Sequence, residues 1–394
     1  MQDEQGSNRR REPIVFGQPV LDERAIAEVV DTLRSGWVGA GPKTAEFERR
    51  LGDYLQAPLS KATSSCTASL HLALVLSGIG PGHEVITTPL TFASTANVII
   101  HTGARPVFAD VDRRTMNLDP DRVEQAITPR TRALLLVHLA GRPCDLDAFH
   151  ELARQHGLVV IEDAAHALGA FYRGSPIGGL SDFAAFSFYP TKNLTTGEGG
   201  LLTGTDPTWA ERVETLIMQG LSAGAWRRYN EATPRHYEVV VPGYKYNMTD
   251  IQASLGLHQV DLIDARREAR ARVWQLYDEA LAGLPMILPP PPADGTVHAR
   301  HLYTPLLDLD VLGTSRDHIR AELQAEGVTS GIHFVPLHRH HYYRSTFGYA
   351  ADDFPDSTWI GDRTLSLPLS PHLTTDDAVY VADAVRRVLS RARW

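Results

Sequence analysis

The chain has 394 residues, of which 43% are hydrophobic and 22% are charged, so it is long enough for two lobes, each with its own core. Its formal net charge of -9 excludes a general binder of nucleic acids or anionic membranes, although local donors can still hold a small anion. The two cysteines, Cys66 and Cys144, are too few for a disulfide framework and favour a reduced, cytoplasmic protein.

The N-terminal segment is polar and charged, and its arginine run at 9–11 is interpreted as a solvated tail rather than a targeting signal. This segment lacks the apolar core of a signal peptide. No other stretch approaches the roughly 18 consecutive apolar residues that a membrane span needs. We therefore expect neither secretion nor a membrane partner.

Between positions 61 and 204, short apolar runs alternate with helical patterns. The helical patterns cover 69–77 and 145–157, and Gly157 is the predicted stop of the second helix. The spacing of strands and helices predicts a mostly parallel central sheet flanked by helices, which is an α/β fold. The predicted strands are 84–88, 107–111, 133–138, 158–162, 183–188 and 200–203.

The second half of the chain predicts a smaller C-terminal α+β domain. Residues 222–247 show no clear period and are predicted to form a long loop, and a long helix is expected to begin near Thr249. Four prolines at 289–292 form a stiff connector, and further helices are expected near 316–326 and 375–391. The predicted division is a large domain at 12–250 and a small domain at 251–394.

Two segments carry groups that suit pyridoxal-phosphate (PLP) chemistry. Asp163 ends an apolar run, and ligands bind at the carboxyl ends of parallel strands, where its carboxylate can keep a pyridine nitrogen protonated. Lys192 follows another apolar run, and partial burial would lower the pKa of its amine and free it to attack a carbonyl carbon. The alternatives, a helix cap for Asp163 and an exposed lysine for Lys192, remain open at this point.

A third segment, at 64–70, places small hydroxyl residues before a helical pattern. The amide groups and dipole of a helix N-terminus suit a phosphate, and Thr67 can add its hydroxyl. Ser187 offers another hydroxyl to a phosphate oxygen. A plain N-cap explains the segment equally well.

The joint order of these segments resembles the DegT/StrS-type nucleotide-sugar aminotransferases of PLP fold type I. The resemblance runs from about Gly36 to Thr374. It is most specific in EDAAHA and FYPTKNLTTGEGG, which contain the acid at 163 and the lysine at 192. The other matching stretches are SSCTASLHLAL, GIGPGHEVITTPLTFASTAN, ARPVFADVD and PGYKYNMTDIQAS.

The resemblance implies a role for each matching residue. Lys192 would hold PLP as a Schiff base and move the proton between the substrate carbon and the cofactor. Asp163 would pair with the pyridinium, His166 would lie near the phenolic oxygen and Phe92 would stack on the ring. The residues expected to line the phosphate are Cys66, Thr67 and Ser187.

The resemblance also implies a homodimer whose active sites are completed by a loop of the partner. Here that loop reads GYKYN, and Lys245 or Asn247 would reach the partner's phosphate. Many relatives read GYNYR instead and carry glycine at the position of Cys66, so the identity of the cross-subunit donor stays open. The GYKYN form is similar to enzymes that aminate C4 of a keto-sugar.

The histidines at 333–341 raise the question of a metal site, but no supporting carboxylate accompanies them, so no metal is expected. The resemblance places His338 near the sugar substrate. His340 and His341 are interpreted as surface residues.

The expected reaction is amino transfer from L-glutamate to C4 of a dTDP-4-keto-6-deoxyhexose. The alternatives are an aminocyclitol or C3 keto-sugar aminotransferase, a related sugar dehydratase and a non-catalytic regulator with the same fold. A dehydratase of this type would have histidine in place of Lys192, and a regulator would show a damaged lysine, acid or phosphate site.

Overall fold

The computed structural model describes residues 12–19, 21–222 and 238–392. The arginine run at 9–11 and most of the loop predicted at 222–247 therefore lie outside the described residues. The strands are β1 (Leu59–Thr63), β2 (Glu84–Thr87), β3 (Arg105–Phe108), β4 (Thr131–Val137), β5 (Val159–Asp163), β6 (Phe171–Tyr172), β7 (Ser175–Pro176), β8 (Phe183–Ser187), β9 (Gly200–Gly204), β10 (Met286–Ile287), β11 (Thr296–Val297) and β12 (Leu306–Leu307).

The helices of the described residues belong to both halves of the chain. They are α1 (Glu23–Ser35), α2 (Pro42–Leu55), α3 (Cys66–Leu76), α4 (Ala93–His101), α5 (Pro120–Ala126), α6 (Leu146–His156), α7 (Ala210–Ile217), α8 (Asp250–Leu257), α9 (Ile263–Leu281), α10 (Leu309–Leu312), α11 (Arg316–Ala325), α12 (His341–Phe347), α13 (Pro355–Arg363) and α14 (Thr375–Arg391). None of these helices is both long and apolar enough to cross a membrane.

The central sheet has seven strands in the order β1-β9-β8-β5-β4-β2-β3. Strands β3, β2, β4, β5 and β8 are parallel, whereas β9 is antiparallel to β8 and to β1. Because two antiparallel pairings separate β1 from β8, β1 runs in the same direction as the parallel strands. The predicted α/β class with a mostly parallel sheet is confirmed.

All six predicted strands are present, with ends displaced by a few residues, but β1 was not predicted. The reason is that Ser60 and Lys61 interrupt its apolar pattern. In the fold, the Ser60 hydroxyl donates to the carbonyl oxygen of Glu48, and Lys61 pairs with the Glu48 carboxylate at 3.3 Å. Local contacts with helix α2 thus make a strand out of a segment whose sequence pattern is weak.

The helix ends follow capping chemistry. Gly157 ends α6 in the left-handed conformation at φ 63°, as predicted. Thr249 and Gln252 form a capping box at the start of α8. The single long helix expected from this point is wrong, because α8 ends at Leu257 and a 3-10 turn at Val260–Leu262 precedes α9.

The apolar residues form separate cores in the two lobes. Two clusters cover the faces of the central sheet, and a third contains Tyr277 and Tyr303 between α9, α11 and α14. Two contacts cross the domain division expected at residue 250. Ile14 packs in the third cluster, and β11 pairs with β6. The domain boundary therefore stays a prediction.

Two buried aspartates cap helices that come from distant parts of the sequence. Asp250 accepts hydrogen bonds from the Lys43 and Thr44 amides at 3.1 and 2.9 Å, at the start of α2. Asp110 accepts from the Ser357 and Asp356 amides at 2.9 Å, at the start of α13, and it thereby ties the large lobe to the small lobe. Neither helix has a side-chain cap from its own N-cap residue.

We predict that Asp250→Ala lowers the free energy of unfolding by about 3 kcal/mol, because a buried carboxylate and its charge-assisted hydrogen bonds are lost. Urea unfolding followed by circular dichroism measures this change. Asp53→Ala is the matched control, because Asp53 pairs with Arg49 on the exposed surface of the same helix and is expected to contribute less than about 1 kcal/mol. Equal losses for both variants would contradict the capping role.

Candidate active site

A cavity of about 600 Å³ opens at the carboxyl edge of the central sheet. Its walls come from the turn after β1, the segment after β2, the ends of β4, β5 and β8, and residues 332–334 of the small lobe. It is the edge at which parallel α/β sheets bind ligands. Seven of the residues predicted from the sequence line this cavity: Cys66, Thr67, Phe92, Asp163, His166, Ser187 and Lys192.

Lys192 lies in the turn that follows β8, where its backbone amide donates to the Tyr189 carbonyl oxygen at 2.9 Å. Burial lowers the pKa of its ammonium group to about 8, although the nearby Asp163 carboxylate opposes this shift. About a tenth of the amine is therefore neutral at pH 7, far more than for an ordinary lysine. This is the state that attacks a carbonyl carbon.

Asp163 ends β5 and is buried, with 6% of its surface exposed. One carboxylate oxygen accepts from the Thr95 hydroxyl at 2.8 Å, and the other accepts from the Ala165 amide at 3.2 Å. Burial raises the pKa of the Asp163 carboxyl despite these hydrogen bonds. Because the two donors are neutral, a protonated ring nitrogen in the cavity would supply the positive charge that this carboxylate favours. The site thus fits a pyridinium.

Thr95 was not identified from the sequence. Its hydroxyl binds the Asp163 carboxylate and also lies 2.8 Å from the Thr91 hydroxyl, so that a short chain of hydroxyls orients the acid. Its position in the first turn of helix α4, three residues after Phe92, could have pointed to it.

We predict that Thr95→Val lowers kcat about tenfold, because one hydrogen bond to a charged group contributes about 1.5 kcal/mol. Thr95→Ser keeps the hydroxyl and is expected to restore most of the rate. Steady-state kinetics on both variants separate kcat from KM. A purely structural role of Thr95 would instead lower the thermal midpoint and leave kcat of the folded protein unchanged.

The imidazole of His166 has a defined tautomer. The Ala140 amide donates to His166 Nδ1 at 3.2 Å, so Nδ1 carries no proton. Burial and the nearby Lys192 hold the pKa of His166 well below its ordinary value, so the ring is neutral. Its proton therefore lies on Nε2, and the ring offers one N–H donor.

His301 packs against His166, with ring centroids 4.5 Å apart, and was not identified from the sequence. Its Nδ1 lies 3.1 Å from Asn193 Oδ1. The Asn193 amide nitrogen donates to the carbonyl oxygens of Leu168 and Ala299, which fixes the amide orientation and makes His301 Nδ1 the donor. This network supports one face of the His166 ring. The Phe334 ring stacks on the His166 ring, with the two ring centroids 6.1 Å apart.

The N-terminus of α3 forms the end of the cavity suited to a phosphate. Ser65 caps this helix by accepting from the Ala68 amide at 3.1 Å, and Thr67 is exposed beside it. The absence of a side chain at Gly200 permits this close packing, because a Cβ there would lie 2.5 Å from the Cys66 amide nitrogen. The helix start is thus pressed against β9 with its amides available.

The Cys66 side chain, which replaces the glycine of many relatives, does not block the site. Its thiol donates to the Ala185 carbonyl oxygen at 3.4 Å and so faces the sheet. Burial raises the pKa of the Cys66 thiol, which keeps it neutral. Phe92, by contrast, is 64% exposed and presents its ring at the cavity.

Three predicted residues lie outside this cavity. His338 is fully buried, and its Nε2 lies 3.0 Å from the Thr358 hydroxyl, so its ring faces the small-lobe interior and not a substrate. His333 lines the cavity in its place. Lys245 is exposed, and Asn247 lines a separate cavity of about 340 Å³ next to Lys61.

The sequence profile of the DegT/DnrJ/EryC1/StrS aminotransferase family matches residues 19–386. The chain belongs to this family. It is a sugar aminotransferase of PLP fold type I, and its cofactor is PLP. Within the described residues, no group of three His, Cys, Asp or Glu side chains is placed to hold a metal ion.

Several relatives are similar over nearly their whole length. The spore coat polysaccharide biosynthesis protein SpsC of Bacillus subtilis is 45% identical over 385 residues, which cover 98% of this chain and 99% of SpsC. The PMP-form of the sugar aminotransferase Spr1654 of Streptococcus pneumoniae is 34% identical with a TM-score of 0.91, covering 96% and 100% of the two chains. DesI, solved in the presence of its TDP-sugar product, is 33% identical with a TM-score of 0.86, covering 98% and 95%.

Proposed function

We propose that this enzyme transfers the amino group of L-glutamate to C4 of a nucleotide-linked keto-deoxysugar, namely a dTDP-4-keto-6-deoxyhexose. The observation that carries the proposal is the convergence of Lys192, Asp163 and the α3 N-terminus on one cavity, whose wall is completed by residues 332–334 of the small lobe. The TDP-sugar product of the relative DesI supports the nucleotide, and the GYKYN loop supports C4.

The cavity residues would hold PLP by complementary groups. The α3 N-terminus with Thr67 and Ser187 would bind its phosphate, Asp163 its ring nitrogen and His166 Nε2 its phenolic oxygen. When bound, PLP supplies an electron-poor ring that stabilises negative charge on the substrate carbon. Phe92 would cover the ring and exclude water from it.

Lys192 would anchor the cofactor and then act as the base and acid of the reaction. Its neutral amine takes a proton from the α-carbon of glutamate, and its ammonium form returns a proton to the sugar carbon that gains nitrogen. The Lys192 pKa near 8 suits both the removal and the return of a proton, because both protonation states are populated near neutral pH. Asp163 stays ionised throughout when a positive ring nitrogen faces it.

The ionisation of Lys192 gives a direct prediction. The rate at which the apoenzyme recombines with PLP is expected to rise with pH and level off above about 8, because the neutral amine must attack the aldehyde. Stopped-flow absorbance measures this rate. Pyridoxine phosphate lacks the aldehyde and is the control for binding alone. A rate that keeps rising up to about pH 10 would indicate an ordinary lysine.

A homodimer with composite sites is part of the proposal, and so is a cytoplasmic location without nucleic-acid or membrane partners. The Asn247 side-chain nitrogen donates to the Met248 carbonyl oxygen at 3.1 Å, whereas Lys245 is exposed. These two residues are the candidates for the cross-subunit donor. Both cysteines are free and buried, in keeping with a reducing compartment.

The acceptor is tested with purified enzyme, L-glutamate and a panel of dTDP- and UDP-linked 3-keto and 4-keto sugars, together with a keto-cyclitol. Products are identified by mass spectrometry and NMR. Formation of a 4-amino sugar from the dTDP-4-keto substrate supports the proposal. A preference for the 3-keto sugar or the cyclitol replaces it with that alternative, and no turnover of the dTDP-4-keto substrate contradicts it.

A further inference from the structure

A second, small cavity of about 40 Å³ adjoins the active site. This volume exceeds the roughly 15 Å³ of probe space that one water needs, so the cavity has room for a small ion. It lies where the N-terminal segment, the Lys192 turn, helix α9 and the segment after residue 368 meet. Its polar lining residues include Lys192, Asn193, Gln259, Arg266, Arg270 and His301.

Arg266 and Arg270 are one helical turn apart on α9, so their side chains emerge on the same face. Arg270 is 2% exposed, and Nη2 donates to the Ala299 carbonyl oxygen at 3.2 Å. Its Nε has no hydrogen-bond partner among the described residues. Arg266 donates from Nη1 to Gln259 Oε1 at 2.8 Å. Both guanidinium groups thus donate hydrogen bonds to neutral acceptors.

None of the described residues that line the cavity is an aspartate or a glutamate. Asp22 influences Arg266, but its carboxylate accepts from the Ala25 amide and from Arg24. Burial and the mutual repulsion of the arginines lower the pKa of Arg270 to about 9, and Arg270 therefore keeps its charge at neutral pH. A buried Arg270 beside the half-buried Arg266, with no carboxylate among the described residues of the cavity lining, is an unfavourable arrangement of like charges.

We propose that this cavity binds a small monovalent anion, either chloride or a carboxylate, between Arg266 and Arg270. Guanidinium groups suit both ligands, since they are planar, charged at neutral pH and carry several donors. The anion would supply the missing counter-charge at the junction of the two lobes, behind the turn that carries Lys192. The inference does not depend on the identity of the amino acceptor.

Crystals of the wild-type enzyme soaked in bromide test the site without reference to activity. The expected result is an anomalous difference peak between Arg266 and Arg270, which disappears when formate or chloride is added in excess. Displacement by formate but not by chloride would identify a carboxylate site, and displacement by both would identify a general site for small anions. A soaked crystal with no peak in this cavity would overturn the proposal.

Thermal unfolding in solution provides an independent test of the anion site. At constant ionic strength, replacing a bulky buffer anion by chloride or formate is expected to raise the unfolding midpoint of the wild type in a saturable manner. Arg270→Gln should abolish this dependence. Arg272→Gln removes the same charge from an exposed position on the same helix and should retain it. If Arg272→Gln also loses the anion dependence of its unfolding midpoint, the effect comes from the protein surface and the proposed site is rejected. If Arg270→Gln does not fold, the presence or absence of the bromide peak tests the site.

Discussion

Replacing Lys192 by alanine is expected to reduce the transamination rate by at least about 10⁴-fold, because the same amine anchors the cofactor and moves the proton. The protein should remain folded, since the Lys192 side chain borders two cavities. The rate is measured with L-glutamate and the accepted keto-sugar, and folding is measured by circular dichroism. PLP should then be lost on gel filtration, whereas the wild type should keep it.

Two further measurements make this prediction specific. Added methylamine should partly restore the rate of Lys192→Ala, because a free amine in the vacated space can move the proton. Lys43→Ala is the matched control, since Lys43 pairs with Glu28 on helix α1 and does not line the active-site cavity. A Lys192→Ala variant with more than about one per cent of the wild-type rate would refute the assigned role.

Replacing Asp163 by asparagine is expected to lower kcat by about 10³-fold, the loss typical of removing a group that stabilises charge in the transition state. The substitution removes the negative charge but keeps the size of the side chain. Because burial already disfavours the ionised Asp163, its removal should not destabilise the protein without cofactor. The expected signature is therefore a slow enzyme whose apo form has an unchanged or higher thermal midpoint.

The test compares Asp163→Asn with Asp206→Asn, which changes an exposed surface carboxylate outside the cavity. Asp206→Asn should match the wild type in rate. Cofactor analogues methylated at the ring nitrogen keep a permanent positive charge, and they should recover part of the rate of Asp163→Asn. A near-normal rate for Asp163→Asn would show that Asp163 does not set the charge of the ring.

The sequence predicted those parts of the site that depend on local order along the chain. Asp163 and Lys192 each follow an apolar strand, and the strand ends meet at one edge of a parallel sheet, so their convergence could be expected. The contact between Thr95 and Asp163 could not, because it joins helix α4 to strand β5 across 68 residues. His301 likewise meets His166 through the return of the chain along β11 and the segment after it.

The errors have equally specific causes. Strand β1 was missed because the partners of Ser60 and Lys61 lie on helix α2 and cannot be inferred from a local pattern. The expected helix after Thr249 continued too far, because nothing in the local sequence marks the 3-10 turn at Val260–Leu262. His333 and His338 belong to the same short segment, and only the packing of Phe354 on His338 shows which ring faces inward.

The capping of helix α13 by Asp110 bears on how substrates enter. Residues 332–334 belong to the small lobe, and that lobe is held to the sheet by a buried carboxylate whose two oxygens bind Asp356 and Ser357. Movement of helix α13 away from the sheet would break both hydrogen bonds to this carboxylate. We therefore expect the Asp110 contact to oppose outward movement of the lobe that carries residues 332–334.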